Sequence, residues 1–402
     1  MRKIPYAGSV HDQAEIDAVL EVLQGPPGKM TIGANVAAFE ERVAELFGKR
    51  LGLMCNSGSS ALYLAVELLG LPAGSEIITS TLTFSTDIAP MVKAGLVPVL
   101  ADVDPDSFQI DVDAIERLVG PKTRAILTPN LAGNAPDWDR IREIADRHDL
   151  IVVEDSCDAL GATLRGTPTG TRSDISVTSF AMSHIITAMG NGGMVLVDDE
   201  RLRDRGLMLR RWGRRSELQL FGSKKGERNF FEEIDGVLYD NLFIFDEIGW
   251  NFEPSEVGAA FGLAQLAKLP TFLATRQRHF AAHQAFFAKH PGAFITPRQT
   301  EGVETGWLNY PMIINPEAGF TRGRMQAFLE ERGVSTRTVW SGNILRQPGF
   351  RDIPHRADPE GYPNADRVME WACIVPLNHR MDDDDVTYIH EQVEEFLAST
   401  GA

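Results

Sequence analysis

The sequence predicts an α/β fold: a mainly parallel seven-stranded sheet with a smaller α+β domain at the C-terminal side. Three observations carry this. Seven short apolar runs occur without polar alternation: LGLMC (51–55), EIITS (76–80), VPVLADV (97–103), AILTPN (125–130), LIVVED (150–155), ISVTSF (175–180) and GGMVLVD (192–198). Runs of that kind are what strands buried on both faces look like. Between them lie segments such as SALYLAVELLG, DAIERLV and DRIREIADRHD, whose apolar residues recur at helical spacing. Beyond about residue 270 the pattern changes to a long amphipathic helix, TFLATRQRHFAAHQAFFAKH, and then to short mixed elements.

A chain of 402 residues implies one large domain and a smaller one. We expect an N-terminal segment, 1–30, packing on the small domain, a large ligand-binding domain over 31–270 and a small domain over 271–402. The acidic run Asp382 to Asp385 is expected to start a solvated helix. Hydrophobic residues make up 43% and charged ones 24%, the balance of an ordinary globular protein. The start of the chain turns acidic at once and has no apolar signal core, so a cytoplasmic placement is expected, with no membrane role. The net charge of -17 argues against nucleic acid and anionic membranes as partners. One stretch runs the other way, with ten basic residues between Arg201 and Arg228. It is either a solvated helix face or an anion site for a phosphorylated substrate. Cys55, Cys157 and Cys373 lie too far apart in sequence for a disulfide framework or a zinc motif, and no metal site is expected.

Sheets of this class gather ligands at the C-terminal ends of their strands. Three motifs stand there. NSGSSAL follows the first run and opens a helix, where Gly58 and Ser59 leave room for a phosphate at a helix N-terminus; a plain capped helix start has the same pattern. In VVEDSCDALGA a buried strand delivers Asp155, whose carboxylate suits a protonated pyridine nitrogen or, equally, a capping role; Asp158 lies three residues on. TSFAMSHIITAMGNGGMV holds Ser179 at a strand end, a phosphate candidate, and His184 in the turn that follows.

In this order and spacing the motifs resemble the DegT/DnrJ/EryC1/StrS sugar aminotransferase family, which has the aspartate-aminotransferase (type I) fold. MTIGANVAAFEERVAELFG, TLTFST and GWNFEPSEVGAAFGLAQL extend the likeness over nearly the whole chain. In that family the SF motif is followed by a lysine that anchors pyridoxal phosphate. Here His184 stands in its place, and no lysine occurs from Thr123 to Ser223. Such a replacement is similar to the family's 3-dehydratase branch, which acts on GDP-4-keto-6-deoxymannose and CDP-linked hexuloses. LAGN (131–134), RRWGRR (210–215) and STRTVWSGNILRQPGF (335–350) point the same way.

The resemblance implies pyridoxamine phosphate or pyridoxal phosphate held without a covalent bond. Gly58, Ser59 and Ser179 would contact its phosphate, with Asn251 reaching across a homodimer interface into a shared active site. Phe84 would stack on the ring, Asp155 would pair with its nitrogen and Asp158 with its hydroxyl. His184, titrating near neutrality, would be the base, and a nucleotide-linked 4-keto-6-deoxysugar the substrate, with L-glutamate restoring the amine. Arg214, Arg337, Asn343 and Arg346 would receive the sugar, nucleotide or glutamate. One group of relatives carries an iron-sulfur cluster, but such clusters normally need four thiolates, and three dispersed cysteines argue for a cluster-free enzyme. The loop after His184 is one residue longer than the family's usual motif and Asn191 replaces its common glutamate, which leaves the roles of Ser183 and Thr187 open. An aminotransferase using another lysine, and a silent binding protein on the same fold, are the rival readings.

Overall fold

The structure, a computed structural model, describes residues 2–26, 30, 32–227 and 229–400. Thr31 of the MTIGAN run and Arg228 of the basic stretch therefore lie outside the described residues. Each of the seven apolar runs forms a strand: β1 (Leu51–Cys55), β2 (Glu76–Ser80), β3 (Val97–Ala101), β4 (Thr123–Pro129), β5 (Ile151–Asp155), β6 (Ile175–Ser179) and β7 (Gly193–Val197). They make one sheet in the order β1-β7-β6-β5-β4-β2-β3. All neighbours are parallel except β7, which runs antiparallel to both β1 and β6.

Successive strand residues face opposite sides of a sheet, so a sheet covered on both sides needs continuous apolar runs. Ile77, Leu127 and Val153 pack into one core with Leu62 and Leu64 of the helix Gly58–Leu68. Their neighbours Ile78, Ile126 and Val152 pack into another with Trp138 and Ile141 of the helix Trp138–His148. Each such side chain contributes about 1.5–3 kcal/mol on burial, which fixes the strand register and with it the edge where the strands end.

The helix Glu256–Phe287 runs without interruption through residue 270, with Pro270 inside it. The change of pattern expected there thus falls within one element, because strong helix formers flank the proline and the helix tolerates one missing backbone donor. By length and composition this helix could cross a membrane, but Arg276, His279 and His283 are buried along it. Beyond it, β8 (Phe294–Ile295), β9 (Tyr310–Ile314), β10 (Arg337–Thr338) and β11 (Ala372–Val375) form an antiparallel sheet in the order β8-β9-β11-β10. The acidic run opens the last helix, Asp383–Thr400, where Arg2 pairs with Asp382 at 3.1 Å and Asp385 at 2.6 Å.

The N-terminal segment divides its contacts. Ile4 bridges to Val334 and enters the core that packs on the C-terminal antiparallel sheet. The helix Gln13–Gln24 lies instead on the long helix, where Glu15 accepts from Gln265 at 2.7 Å and pairs with Lys268 at 2.6 Å. Between Arg211 and Asn251 the chain forms an arm with the hairpin Phe231–Ile234/Val237–Asp240, whose apolar side chains are largely exposed.

Candidate active site

The C-terminal ends of β1, β2, β4, β5 and β6 open on a cavity of about 750 Å³. After β1, Ser57 caps the helix Gly58–Leu68, its side chain accepting from Ser60 N at 3.0 Å. Gly58 is required there: a Cβ would lie 2.6 Å from Ser179 Cβ and 2.9 Å from Ser179 Oγ. The floor is therefore a helix N-terminus with two serines and no side chain between them, the arrangement that binds phosphate.

β5 ends on Asp155, which accepts from Cys157 N at 2.9 Å. Burial pushes its carboxyl above the usual range. Asp158 accepts from Ala132 N at 3.1 Å, and burial, with the charge of Asp155, pushes it well up. Phe84 precedes the helix Ser85–Lys93 at its N-cap position, makes no side-chain cap, and lines the cavity with 52% of the residue exposed.

His184 arrives on the β6–β7 loop. Phe180 N donates to Gly192 O at 2.9 Å, Ala188 N to Phe180 O at 3.0 Å, and Thr187 Oγ1 to the same carbonyl at 2.9 Å. Gly190 N donates to Thr187 Oγ1 at 2.8 Å, and Gly192 N to Asn191 Oδ1 at 3.1 Å. Thr187 and Asn191 thus pin the loop, the antiparallel strand β7 carries it back, and Ser183 beside His184 faces the cavity. His184 Nε2 lies 3.8 Å from Asp158 Oδ1, and its Nδ1 is buried without a hydrogen-bond partner among the described residues. Burial first, and the Arg276 charge second, lower its pKa to about 4. This corrects the expectation that it titrates near neutrality: the imidazole stays neutral because solvation of its cation has been removed.

Gly58, Ser59, Phe84, Asp155, Asp158, Ser179, His184 and Arg337 all line the one cavity. Four other candidates do not. Asn343 donates to Asp366 at 2.8 Å, and Arg346 forks onto the same carboxylate, with one contact at 2.6 Å. Arg214 packs its guanidinium over Trp212 at 4.3 Å. Asn251 bridges to Arg211 at the base of the exposed arm. The basic stretch around them is largely compensated: Arg210 meets Glu40 at 3.1 Å, Arg211 meets Glu217 and Glu253, and Arg215 meets Glu232 and Asp246.

Tyr6, Asp87, Trp340 and Phe350 also line the cavity and were not anticipated. Asp87 had a readable signal, a carboxylate three residues past Phe84 on a helix start. Trp340 lies within the run 335–350 already singled out in the sequence, between Arg337 and Asn343, whereas Tyr6 had no such signal because it comes from the N-terminal segment, far from the strand ends. Trp340 sits at φ 39, a backbone strain of the kind that collects at ligand sites.

These residues fit a pyridoxal-type cofactor. The Gly58 cradle suits its phosphate, Asp155 its ring nitrogen and the open Phe84 face its ring, while the unpartnered His184 Nδ1 marks a polar atom awaiting a neighbour.

The model of the DegT/DnrJ/EryC1/StrS aminotransferase family matches residues 10–394. A dTDP-4-dehydro-2,6-dideoxy-D-glucose 3-dehydratase of Saccharopolyspora spinosa is 34% identical, over 98% of this chain and 86% of its own. A GDP-perosamine synthase of Caulobacter vibrioides is 30% identical, over 86% of each chain. The solved Escherichia coli GDP-4-keto-6-deoxy-D-mannose-3-dehydratase with bound hydrated PLP superimposes with a TM-score of 0.88 at 28% identity, covering 98% of this chain and 99% of that one. The mixed seven-stranded sheet is accordingly the aminotransferase fold.

Proposed function

The chain belongs to the DegT/DnrJ/EryC1/StrS aminotransferase family, and on that premise we propose that it is a pyridoxamine or pyridoxal phosphate-dependent nucleotide-sugar 3-dehydratase. It removes the C3 hydroxyl of a nucleotide-linked 4-keto-6-deoxyhexose, with His184 as the base. One observation carries this reading: a histidine faces the cavity after the SF motif, and the described cavity-lining residues include no lysine. An aminotransferase that stores its cofactor covalently needs a lysine within reach, so the transferase reading lacks its central residue.

The cofactor, when bound, supplies an amine that condenses with the 4-keto group and a ring that takes up electron density. Gly58, Ser59 and Ser179 hold its phosphate and Phe84 covers its face. Asp155 keeps the ring nitrogen protonated, and Asp158 meets the ring hydroxyl and orients His184. Neutral His184 would take the proton at the cofactor's C4' carbon, and its cation, made more acidic by burial, would hand a proton to the departing C3 hydroxyl. A lysine there would compete for the carbonyl; an imidazole does not, which favours elimination.

L-glutamate would restore the amine, whose nitrogen leaves as ammonia when the released sugar hydrolyses to its 3-deoxy-4-keto form. The chain has three cysteines, at the end of β1, after β5 and in β11, where such a cluster normally takes four thiolates, and this supports a reaction without iron and sulfur. The exposed apolar arm supports a homodimer in which Asn251 enters the partner's site.

The test is incubation of the protein, pyridoxamine phosphate and glutamate with a panel of nucleotide 4-keto-6-deoxyhexoses, followed by mass spectrometry. Loss of an oxygen is expected. Gain of an amine would establish a transferase, and a purified protein carrying a stoichiometric iron-sulfur cluster would overturn the cluster-free reading.

A further inference from the structure

The carboxyl of Asp87 plays no part in the chemistry above, yet it sits at the centre of the site. It lies on the first turn of the helix Ser85–Lys93, fully buried at 0% exposure, and it lines the cavity three residues beyond Phe84. Thr83 Oγ1 donates to its Oδ2. Its Oδ1 is buried and receives no donor among the described residues. The group it meets within hydrogen-bonding reach is the carboxyl of Asp155.

Two ionised carboxylates cannot share a buried contact, so one of the pair holds a proton. The donors decide which. Asp155 accepts from the Cys157 backbone N–H and faces the Cys157 thiol, both of which favour its anion. Asp87 has only the Thr83 hydroxyl. The other ionisable groups facing the pair are Asp158 and Glu154, which oppose further negative charge. Burial and the charge of Asp155 accordingly push the Asp87 carboxyl well above its usual range.

Resting on the cofactor reading given above, we propose that Asp87 is a neutral carboxylic acid that donates its proton to Asp155, and that it is the positioning residue holding the Asp155 carboxylate toward the ring nitrogen. A cation in its place would drain the charge that Asp155 needs to keep that nitrogen protonated. A neutral donor orients the carboxylate and leaves its charge in place.

The test begins on the cofactor-free protein. The infrared difference between wild type and Asp87→Asn should contain the carbonyl stretch of a protonated carboxyl that persists into mildly alkaline solution, beyond any band of the buried Asp158 carboxyl, which both proteins keep. Pyridoxal phosphate is then titrated by absorbance. Asp87→Asn, which keeps a donor toward Asp155, should bind within about threefold of wild type, and Asp87→Leu about tenfold more weakly, with an altered bound spectrum. Absence of that difference band, or wild-type binding and spectrum in Asp87→Leu, would each overturn the proposal. The infrared comparison does not need Asp87→Leu, so it decides the pair even where that variant does not fold. A wild-type protein with the band but no affinity for pyridoxal phosphate would refute the cofactor reading, and the positioning role with it, while the proton-sharing pair stood.

Discussion

His184 Nε2 faces Asp158 Oδ1 across 3.8 Å, a distance at which the carboxyl steers the ring without forming a full hydrogen bond. The opposite nitrogen, Nδ1, is buried and unpartnered among the described residues. The proposed role of His184 as the base draws on that open valence. Replacing His184 by Asn removes the base while keeping the size and polarity of the side chain. Dehydration should fall by roughly 10²–10⁴-fold, with pyridoxal phosphate still bound. His184→Lys should gain a borohydride-reducible link to pyridoxal phosphate at residue 184, read by peptide mapping. An Asn variant that still removes oxygen at the wild-type rate would eliminate His184 as the base.

The phosphate floor makes a second, purely steric prediction. At Gly58 any Cβ meets Ser179 Cβ at 2.6 Å, with Cys157 Sγ at 3.1 Å behind it. Gly58→Ala must push β6 away from the helix N-terminus and spoil the backbone donors aimed at the phosphate. Affinity for pyridoxal phosphate should drop by about tenfold or more, since charge-assisted bonds to a phosphate contribute about 1.5–3 kcal/mol each. A titration indistinguishable from wild type would show that the phosphate lies elsewhere.

The strands and the strand-end motifs were legible because both obey local rules. Ile77 and Ile78, or Val152 and Val153, must both be apolar when a sheet is covered on two sides, and Asp155 and Ser179 follow directly from where such strands stop. What escaped depends on distant partners. Asn343 and Arg346 read as free polar groups in sequence, but Asp366, twenty or more residues on, occupies both. Arg211 and Arg215 are likewise taken by acids of the arm and its flanks. The depressed pKa of His184 arises from burial and from Arg276 on the long helix, a relationship no spacing encodes.

Position relative to the cavity separates two arginines of one segment, although Arg337 also has an acid, Glu330, at 3.5 Å. Arg337 borders the cavity, its guanidinium 5.6 Å from the Tyr6 ring, while Arg346 points to Asp366 outside it. Arg337→Ala should raise KM for the nucleotide sugar by about tenfold, the effect of removing one exposed charged contact. Arg346→Ala should leave KM unchanged and change stability little, because its ion pair is solvent-exposed. Equal effects on KM would place the substrate's anion on the Asp366 side.

Acid stability follows from the small-domain histidines. His283 Nε2 donates to Pro376 O at 3.0 Å, so its Nδ1 accepts from His390 Nε2, also at 3.0 Å. His379 Nδ1 accepts from Arg276 Nε at 3.1 Å. The acceptor roles of His283 and His379 require neutral rings, and burial lowers His283, His390 and His379 to about 3, 4 and 3 respectively from 6.5. Between those limits the unfolded chain binds more protons than the folded one, so stability is full above about pH 6.5 and is lost as pH falls toward 4. The melting temperature should decline through that window. His379→Asn, which keeps an acceptor for Arg276 but does not titrate, should melt lower at pH 7 and show a shallower decline. A flat profile in the wild type would contradict neutral burial of these rings.

The arm from Trp212 to Trp250 carries the largest unburied apolar surface described, with Phe230 at 78%, Leu238 at 72% and Ile248 at 98% exposure. Proteins that function alone rarely present so much, and hairpins of two strands are marginal without a surface to pack on. The arm is therefore expected to pack on a second copy, with Asn251 at its base carried to the partner's phosphate floor. Leu238→Asp places a charge in the middle of that face. It should shift the protein from dimer to monomer in analytical ultracentrifugation and, because each site then lacks the partner's Asn251, weaken pyridoxal phosphate binding in the same variant. Asn251→Ala should weaken cofactor binding to a similar degree while remaining a dimer. A wild-type protein that sediments as a monomer and binds cofactor as tightly as the reconstituted enzyme at high concentration would remove both the interface and the shared site.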